Sequence, residues 1–198
     1  MENTRFYRIK DEVRILGLDD APFKRGDASV LVVGTVFRGG TVLDGVLSTR
    51  VAVDGIDATE RVVELISSCK FKDLRVLMLD GLGFGGFNLV DIQRVYRDTG
   101  LPVIAIVRKK PDFAEIFAAL DNLGDKPLRV GIIEKAGEPV AVETRKNKWI
   151  FMQHVGVSES DAAELVRLSA TRSLIPEPIR VAHLIAQGIV LGQSRGKA

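Results

Sequence analysis

The fold of this chain is indicated first by the stretch Leu74-Arg75-Val76-Leu77-Met78-Leu79-Asp80-Gly81. An apolar run of this length that stops at Asp-Gly is typical of a buried strand in a parallel sheet. Such a strand delivers the carboxylate of Asp80 to the C-terminal edge of the sheet, where open α/β folds bind their ligands. A second run, from Val13 to Leu18, ends in the same way on Asp19 and Asp20. We therefore predict a shared carboxylate site at this edge, with an ordinary turn or helix cap as the alternative role for each Asp.

The composition is that of an ordinary globular protein, since 46% of the 198 residues are hydrophobic and 27% are charged. This length fits one domain, so we predict a single domain over 1–198 with a loose tail at 194–198. A net charge of +2 permits a nucleic-acid partner but does not require one. The single cysteine, Cys69, excludes a disulfide framework and a thiolate metal cluster, and we expect a buried, inert thiol. The oligomeric state is left open.

No membrane segment is expected, because no apolar run approaches about 18 residues. Residues 1–5 are polar and lack the apolar core of a signal peptide. We therefore expect a cytoplasmic protein.

Strands and helices follow from the apolar periodicity. After the first strand, residues 30–37 and 41–53 read as an antiparallel meander around the turn signal Arg38-Gly39-Gly40. A helix capped by Asp57 or Thr59 follows. The next predicted elements are, in order, the strand 74–79, a helix over 88–99, the strand 102–107, an amphipathic helix over 112–123, short strands over 128–134, 140–144 and 149–154, a helix from Ser158 and a last helix over 178–191.

The alternation of helices and strands from residue 57 to residue 123 implies parallel strands joined by right-handed crossovers. Three antiparallel strands that lead into parallel ones are typical of a ribonuclease-H-like fold. The predicted fold class is therefore α/β, a mixed sheet in which an antiparallel meander precedes parallel strands, with helices on both faces.

Four motifs follow one another along the chain, namely Ile15-Leu16-Gly17-Leu18-Asp19, the Asp80-Gly81 strand end, the stretch Gly100–Arg108, and Ile175-Pro176-Glu177-Pro178-Ile179-Arg180-Val181-Ala182-His183. In this order they resemble endonuclease V, a family of the ribonuclease-H-like superfamily. Three local signatures, at residues 17–23, 53–60 and 85–91, more closely resemble the mainly archaeal domain-of-unknown-function family 99, a distant relative of endonuclease V.

The resemblance implies a Mg²⁺- or Mn²⁺-dependent hydrolysis of phosphodiester bonds in nucleic acid, because hard cations held by carboxylates activate water and stabilise the leaving oxygen. Asp19 and Asp80 match the two core aspartates of the family. Glu60 matches the third carboxylate, although an acid there also simply favours a helix N-terminus. The predicted metal ligands are therefore Asp19, Asp80 and Glu60.

Two further site residues come from the same resemblance. His183 matches the histidine of the last motif, as a group that supports the ligands from outside or as a proton donor to the leaving oxygen. Arg108 occupies the place of a family lysine, where its cation suits a phosphate but cannot shuttle a proton. His154 is expected to be structural. Whether Asp20, or the acids at positions 54 and 57, join the metal site is left open.

Differences from the sequence motifs of endonuclease V limit which properties of that family are expected here. The Tyr-Ile-Pro-Gly wedge of that family is replaced here by Val51-Ala52-Val53-Asp54-Gly55-Ile56, so inosine recognition is not implied. One alternative is a catalytically silent member that binds nucleic acid or a protein through the same cleft. Another is a nucleotide-binding enzyme that uses the glycines between Gly81 and Gly86. DNA and RNA remain equally open as substrates.

Overall fold

A computed structural model of the chain describes Thr4, Phe6 and residues 8–194. Apart from Ser194, the predicted tail lies outside these residues. Within them, no helix has the length and apolar composition needed to cross a membrane.

In the part of the chain that the structure describes, seven strands form one mixed sheet in the order β3-β2-β1-β4-β7-β9-β8. These strands are β1 (Arg14–Asp20), β2 (Ser29–Arg38), β3 (Val42–Ala52), β4 (Val76–Asp80), β7 (Val103–Val107), β8 (Val140–Arg145) and β9 (Lys148–Val155), and a separate small hairpin pairs β5 (Gly83–Phe84) with β6 (Asn88–Leu89). β1 pairs antiparallel with β2 and parallel with β4, and β4 pairs parallel with β7. The predicted meander followed by parallel strands is confirmed.

The described residues form six α-helices. They are α1 (Ala58–Ser68), α2 (Ile92–Thr99), α3 (Phe113–Ala119, continued by a 3-10 turn over Leu120–Asn122), α4 (Lys126–Ala136), α5 (Glu159–Ser169) and α6 (Glu177–Leu191). Alternate residues of β1 enter two different apolar clusters, because side chains point to opposite faces along a strand. Leu16 belongs to the same cluster as Val62 of α1, whereas Ile15 belongs to the same cluster as Leu165 of α5. Cys69 is buried at the end of α1, as expected.

The last helix, α6, begins in close contact with the central strands. A side chain at Gly17 of β1 would put its Cβ 2.5 Å from Cβ of Pro178 and 2.6 Å from the backbone nitrogen of Ile179, so only glycine fits. The hydroxyl of Thr35 in β2 donates to the carbonyl oxygen of Pro178 at 2.6 Å. The Glu177–Arg180 pair, with its shortest contact at 2.6 Å, holds the first turn of the helix. These contacts fix the direction in which α6 crosses β1.

One predicted element and the start of another were wrong. The predicted strand over 128–134 is part of α4, whose buried residues Arg129, Ile133 and Ala136 follow helical spacing. The predicted helix over 88–99 begins only at Ile92, because Asn88 and Leu89 pair with Phe84 and Gly83 in the small hairpin.

The predicted cap of α1 was also wrong. Asp57 occupies the N-cap position of α1 but its side chain makes no capping hydrogen bond. Its Oδ1 accepts instead from the backbone N–H of Ala52 and from the amide of Asn88. The hydroxyl of Thr59 accepts the backbone N–H of Asp91 and so joins α1 to the start of α2.

Candidate active site

The strand register brings two predicted site residues together. Leu18 lies opposite Leu79 in the parallel β1–β4 pair, so the residues that follow, Asp19 and Asp80, are neighbours at the C-terminal edge. Adjacent strands are about 4.8 Å apart, which is close enough for the two carboxylates to interact directly. Both line a cleft of about 370 Å³ together with Asp20, Ala21, Pro22, Phe23 and His183.

His183 connects α6 to this pair of acids. Its Nδ1 donates to Oδ2 of Asp19 at 2.7 Å, while Nε2 of Gln187, one turn further along α6, lies 2.9 Å from Nε2 of the imidazole. Both ring nitrogens are therefore engaged. Because the imidazolium is stabilised by the Asp19 carboxylate, the pKa of His183 is raised above its ordinary value of 6.5.

The acids of the cleft resist ionisation because they are buried beside one another. Burial, followed by the charge of Asp19, raises the pKa of Asp80 to about 7. Burial raises the pKa of Asp20 to about 6, although the carboxylate accepts the backbone N–H of Gly85 at 2.7 Å. Burial also raises the pKa of Asp19, against the opposing effect of His183. A cation brought to this cleft would be stabilised by all three groups.

Arg108 follows β7 and remains exposed. Its positive charge lowers the pKa of both Asp19 and Asp80, although burial outweighs this effect. It therefore acts on the cleft from the side of β7 without being part of its wall.

Glu60 is not brought into the cleft. Its Oε1 pairs with Nη1 of Arg94 in α2 at 2.5 Å. Its Oε2 is buried and has no hydrogen-bond partner among the described residues. One oxygen of Glu60 is therefore held by an arginine and the other is left without a donor.

The other acids near the glycine-rich hairpin accept hydrogen bonds from backbone N–H groups. Oδ1 of Asp54 accepts the N–H of Phe87 at 2.9 Å and lies against Gly86, where a Cβ would collide with it. Gly85 and Gly86 adopt the left-handed φ values of 59° and 89° that form this turn. Because the Gly85 N–H is donated to Asp20 and the Gly81 N–H to Ile106, these two amides are not free to bind a phosphate. This geometry argues against the nucleotide-binding alternative.

The buried guanidinium of Arg129 binds the backbone of the same loops. Its Nη2 donates to the carbonyl oxygen of Asp54 at 2.7 Å, and its Nη1 donates to the carbonyl oxygens of Gly55 and Phe87. This role was not predicted from the sequence, because residue 129 was assigned to a strand. Gln187 was not predicted either, although its four-residue spacing from His183 would have indicated it.

A second cavity of about 290 Å³ adjoins the hairpin on the side of β7 and α3. It is mostly apolar, and its walls include Phe87, Val107, Phe113, Ile133 and the amide of Gln153. Lys109, which follows Arg108 in the chain, lies at its border. The edge of the sheet thus offers an acidic cleft and an apolar cavity side by side.

The donor set of the cleft meets the needs of a divalent cation only in part. No group of three or more His, Cys, Asp or Glu side chains in the described part of the chain is arranged to hold a metal ion. Mg²⁺, however, is usually bound through one or two carboxylates, with waters and substrate phosphates completing its shell. The neighbouring carboxylates of Asp19 and Asp80, which repel one another and resist ionisation, fit that mode of binding.

Comparison with known proteins places the chain in a family. A family model described as endonuclease dU matches residues 11–190. A UPF0215 protein from Methanothermobacter thermautotrophicus is 55% identical over 201 residues, which cover 100% of this chain and 98% of the relative. A UPF0215 protein from Methanosarcina acetivorans is 49% identical over 194 residues, with 97% and 98% covered.

Several solved structures share the fold of this chain. A protein of unknown function from Archaeoglobus fulgidus has a TM-score of 0.82 at 40% identity, over 90% of this chain and 98% of that one. Endonuclease V from Streptomyces avermitilis has a TM-score of 0.60 at 15% identity, over 87% and 78%. Endonuclease V from Ciona intestinalis, in complex with DNA containing inosine, has a TM-score of 0.56 at 18% identity, over 86% and 82%.

The predicted resemblance to endonuclease V is thereby confirmed as a likeness of fold. The predicted membership of an uncharacterised archaeal family is confirmed by the UPF0215 relatives. The chain belongs to the endonuclease dU family.

Proposed function

We propose that this protein is a divalent-metal-dependent endonuclease that hydrolyses phosphodiester bonds in nucleic acid. The observation that carries the proposal is the pairing of β1 with β4, because it ends two neighbouring strands on Asp19 and Asp80 in one cleft. The family description, endonuclease dU, supports DNA that contains deoxyuridine as the first substrate to test.

Asp19 and Asp80 are the proposed metal ligands, with Asp20 beside them. The chemistry supplied by a bound Mg²⁺ or Mn²⁺ ion is Lewis-acid activation of water and stabilisation of the leaving oxygen. His183 supports Asp19 from outside by donating from Nδ1, which fixes the orientation of that carboxylate. The contact of its Nε2 with Gln187 favours this role over donation of a proton to the leaving group. Arg108 is the proposed cation for a phosphate at the border of the cleft.

Glu60 is retained as a proposed third carboxylate with a restricted role. Because Arg94 holds its Oε1, Glu60 acts on a metal only through water or after this ion pair opens. The buried Oε2, which lacks a donor, supports its availability for such a contact. Weakened Mn²⁺ binding in Glu60→Gln, measured by calorimetry, supports this role, and unchanged binding assigns Glu60 to the ion pair alone.

The test is a cleavage screen with Mn²⁺ or Mg²⁺ over single-stranded, duplex and branched DNA and RNA, each with and without deoxyuridine or deoxyinosine. We expect strand cleavage that requires the metal and that is greatest on deoxyuridine-containing DNA. Metal-independent cleavage or complete absence of cleavage would contradict the proposal.

A catalytically silent member that binds nucleic acid or a protein is the second candidate. It is favoured by the Glu60–Arg94 pair and by the absence of a group of three ligands among the described residues. Calorimetry with Mn²⁺ separates the two candidates. Heat of binding that disappears in Asp80→Asn supports the nuclease, whereas no binding at millimolar Mn²⁺ supports the silent protein.

A further inference from the structure

The loop between β1 and β2 places an exposed aromatic ring beside the acids. Phe23 lines the cleft together with Asp19 and Asp80, yet 40% of its surface remains accessible. Neighbouring Ala21 is buried, so the chain turns outward between these two positions. Single exposed apolar side chains are ordinary on a protein surface, so the place of this ring beside the buried acids, and not its exposure, is what points to a ligand.

The loop is held in a defined shape. The N–H of Ala21 donates to the carbonyl oxygen of Leu31 at 2.8 Å, which ties the loop to β2. At its tip, the N–H of Lys24 donates to Oδ2 of Asp27 at 2.8 Å, and the N–H of Asp27 donates to the carbonyl oxygen of Lys24 at 3.0 Å. Lys24 and Arg25 stand at this closed turn with both side chains exposed. The ring and the two cations are therefore presented together on the same short loop.

A second group of cations stands on the other side of the acids. In the sheet order, β2 lies next to β1, whereas β7 lies next to β4. The loop at residues 21–27 therefore flanks Asp19, and Arg108, Lys109 and Lys110, which follow β7, flank Asp80. A polyanion that crosses the cleft meets positive charge on both sides of the reacting position.

We infer that Phe23 is a stacking platform for an unpaired nucleobase next to the scissile phosphate, and that Lys24 and Arg25 bind the phosphates of the same strand. This inference rests on the proposed function and names its substrate class, which is nucleic acid with an unpaired strand at the cut. A base inside a duplex is covered on both faces by its neighbours, so a side chain stacks only on a base that is single-stranded or displaced. Basic residues interleaved with an aromatic ring bind such strands with little dependence on sequence.

The test measures binding of oligonucleotides that carry 2-aminopurine, whose fluorescence falls on stacking. The Asp80→Asn background is used so that binding is followed without cleavage. We expect Phe23→Ala to raise the Kd for the single strand about tenfold and to abolish the quenching. Phe23→Trp should bind like the parent, whereas Phe23→Leu, which is apolar but has no ring, should behave like Phe23→Ala. Thermal unfolding of each variant checks that the exposed position leaves the fold intact.

Charge reversal tests the cations of the loop. Lys24→Glu together with Arg25→Glu should lower the slope of log Kd against log salt by about 1.4, because each cation that neutralises a phosphate of a single strand contributes about 0.7 to that slope. The matched control is Lys70→Glu together with Lys72→Glu, two exposed cations between the end of α1 and the start of β4, at the other edge of the sheet. The control should leave the slope unchanged.

The outcomes separate this inference from the proposed function. If the wild-type protein cleaves but Phe23→Leu and Phe23→Ala bind like the parent, the inference is overturned and the nuclease stands. If the strand binds through Phe23 but the wild-type protein cleaves nothing, the inference stands and the nuclease fails. If duplex and single strand lose equal affinity in Phe23→Ala, the unpaired substrate class is overturned. If no strand binds at all, both proposals fall.

Discussion

At the scale of single residues, the cleft is governed by the cost of burying like charges together. The carboxylates of Asp19, Asp20 and Asp80 share one cleft, and burial is the largest cause of the raised pKa of each. The imidazole of His183 relieves part of this cost by donating to Asp19. Structural caps do not require such an arrangement, whereas a cation site does, because the ion offsets the repulsion.

The stability of the metal-free protein should therefore fall as the pH rises. The pKa of Asp80 rises from its ordinary value of 3.8 to about 7 on folding, so the folded state binds the proton more tightly. Stability is lost between about pH 4 and pH 7 as the unfolded chain, but not the folded one, releases this proton. Because the pKa of His183 is also raised, the folded protein loses further stability as the pH rises above 6.5. Urea unfolding at pH 5 and pH 8 with chelator measures the effect.

Asp80→Asn should remove much of that pH dependence. We expect the metal-free variant to be about 1–3 kcal/mol more stable than the wild type at pH 8, because the uncharged amide relieves the repulsion with Asp19. At pH 5 the two proteins should differ little. Strong destabilisation of the variant at both pH values would instead indicate that Asp80 is a structural cap.

At the scale of elements, most of the sheet was predictable because its strands are continuous apolar runs with clear ends. The strand proposed over 128–134 was wrong for a physical reason. Val130, Ile132 and Ile133 are β-branched, and Gly131 lies among them, which lowers helix propensity. Tertiary burial of Arg129 and Ile133 on one helical face outweighs that propensity. The approach of α6 to Asp19 was not predictable from periodicity, because it depends on Gly17, far away in the sequence.

The position of α6 should depend on that glycine. Gly17→Ala should cost about 1–3 kcal/mol of stability, because the new Cβ overlaps Pro178 at the start of the helix. It should also weaken the contact of His183 with Asp19. Gly188→Ala is the matched control, since this glycine lies inside α6 with open space around it, and the change should stabilise by about 0.5–1 kcal/mol. Equal effects of the two changes in thermal unfolding would contradict the packing argument.

Arg129 should be the main anchor of the loops behind the cleft. Arg129→Met keeps the apolar stem but leaves the carbonyl oxygens of Asp54, Gly55 and Phe87 without their donor. We expect a loss of about 2–4 kcal/mol, from more than one unsatisfied buried group. Arg97→Met, at an exposed position at the end of α2, is the control and should change stability by less than about 0.5 kcal/mol. Chemical denaturation of both variants measures the two changes in the free energy of unfolding.

At the scale of the whole molecule, the fold and the family were predicted from motif order and from the alternation of strands and helices. The site was predictable in part, since parallel strands that end on acids meet at one edge. Its details were not. The ion pair of Glu60 with Arg94 and the hydrogen bond of His183 to Asp19 join side chains on different elements, and no local pattern encodes them.

The most direct test of the central claim is the metal-dependent cleavage rate of a deoxyuridine-containing single strand by the wild type, Asp80→Asn and Asp121→Asn. Asp121 is the matched control, an exposed acid of the 3-10 turn after α3 that pairs with Lys126 and does not line the cleft. We predict that wild type and Asp121→Asn cleave only with Mn²⁺ or Mg²⁺, and that Asp80→Asn is slower by about 100-fold or more. Cleavage by Asp80→Asn at the wild-type rate, or the same rate in chelator, would contradict a metal-dependent nuclease built on this pair of strands.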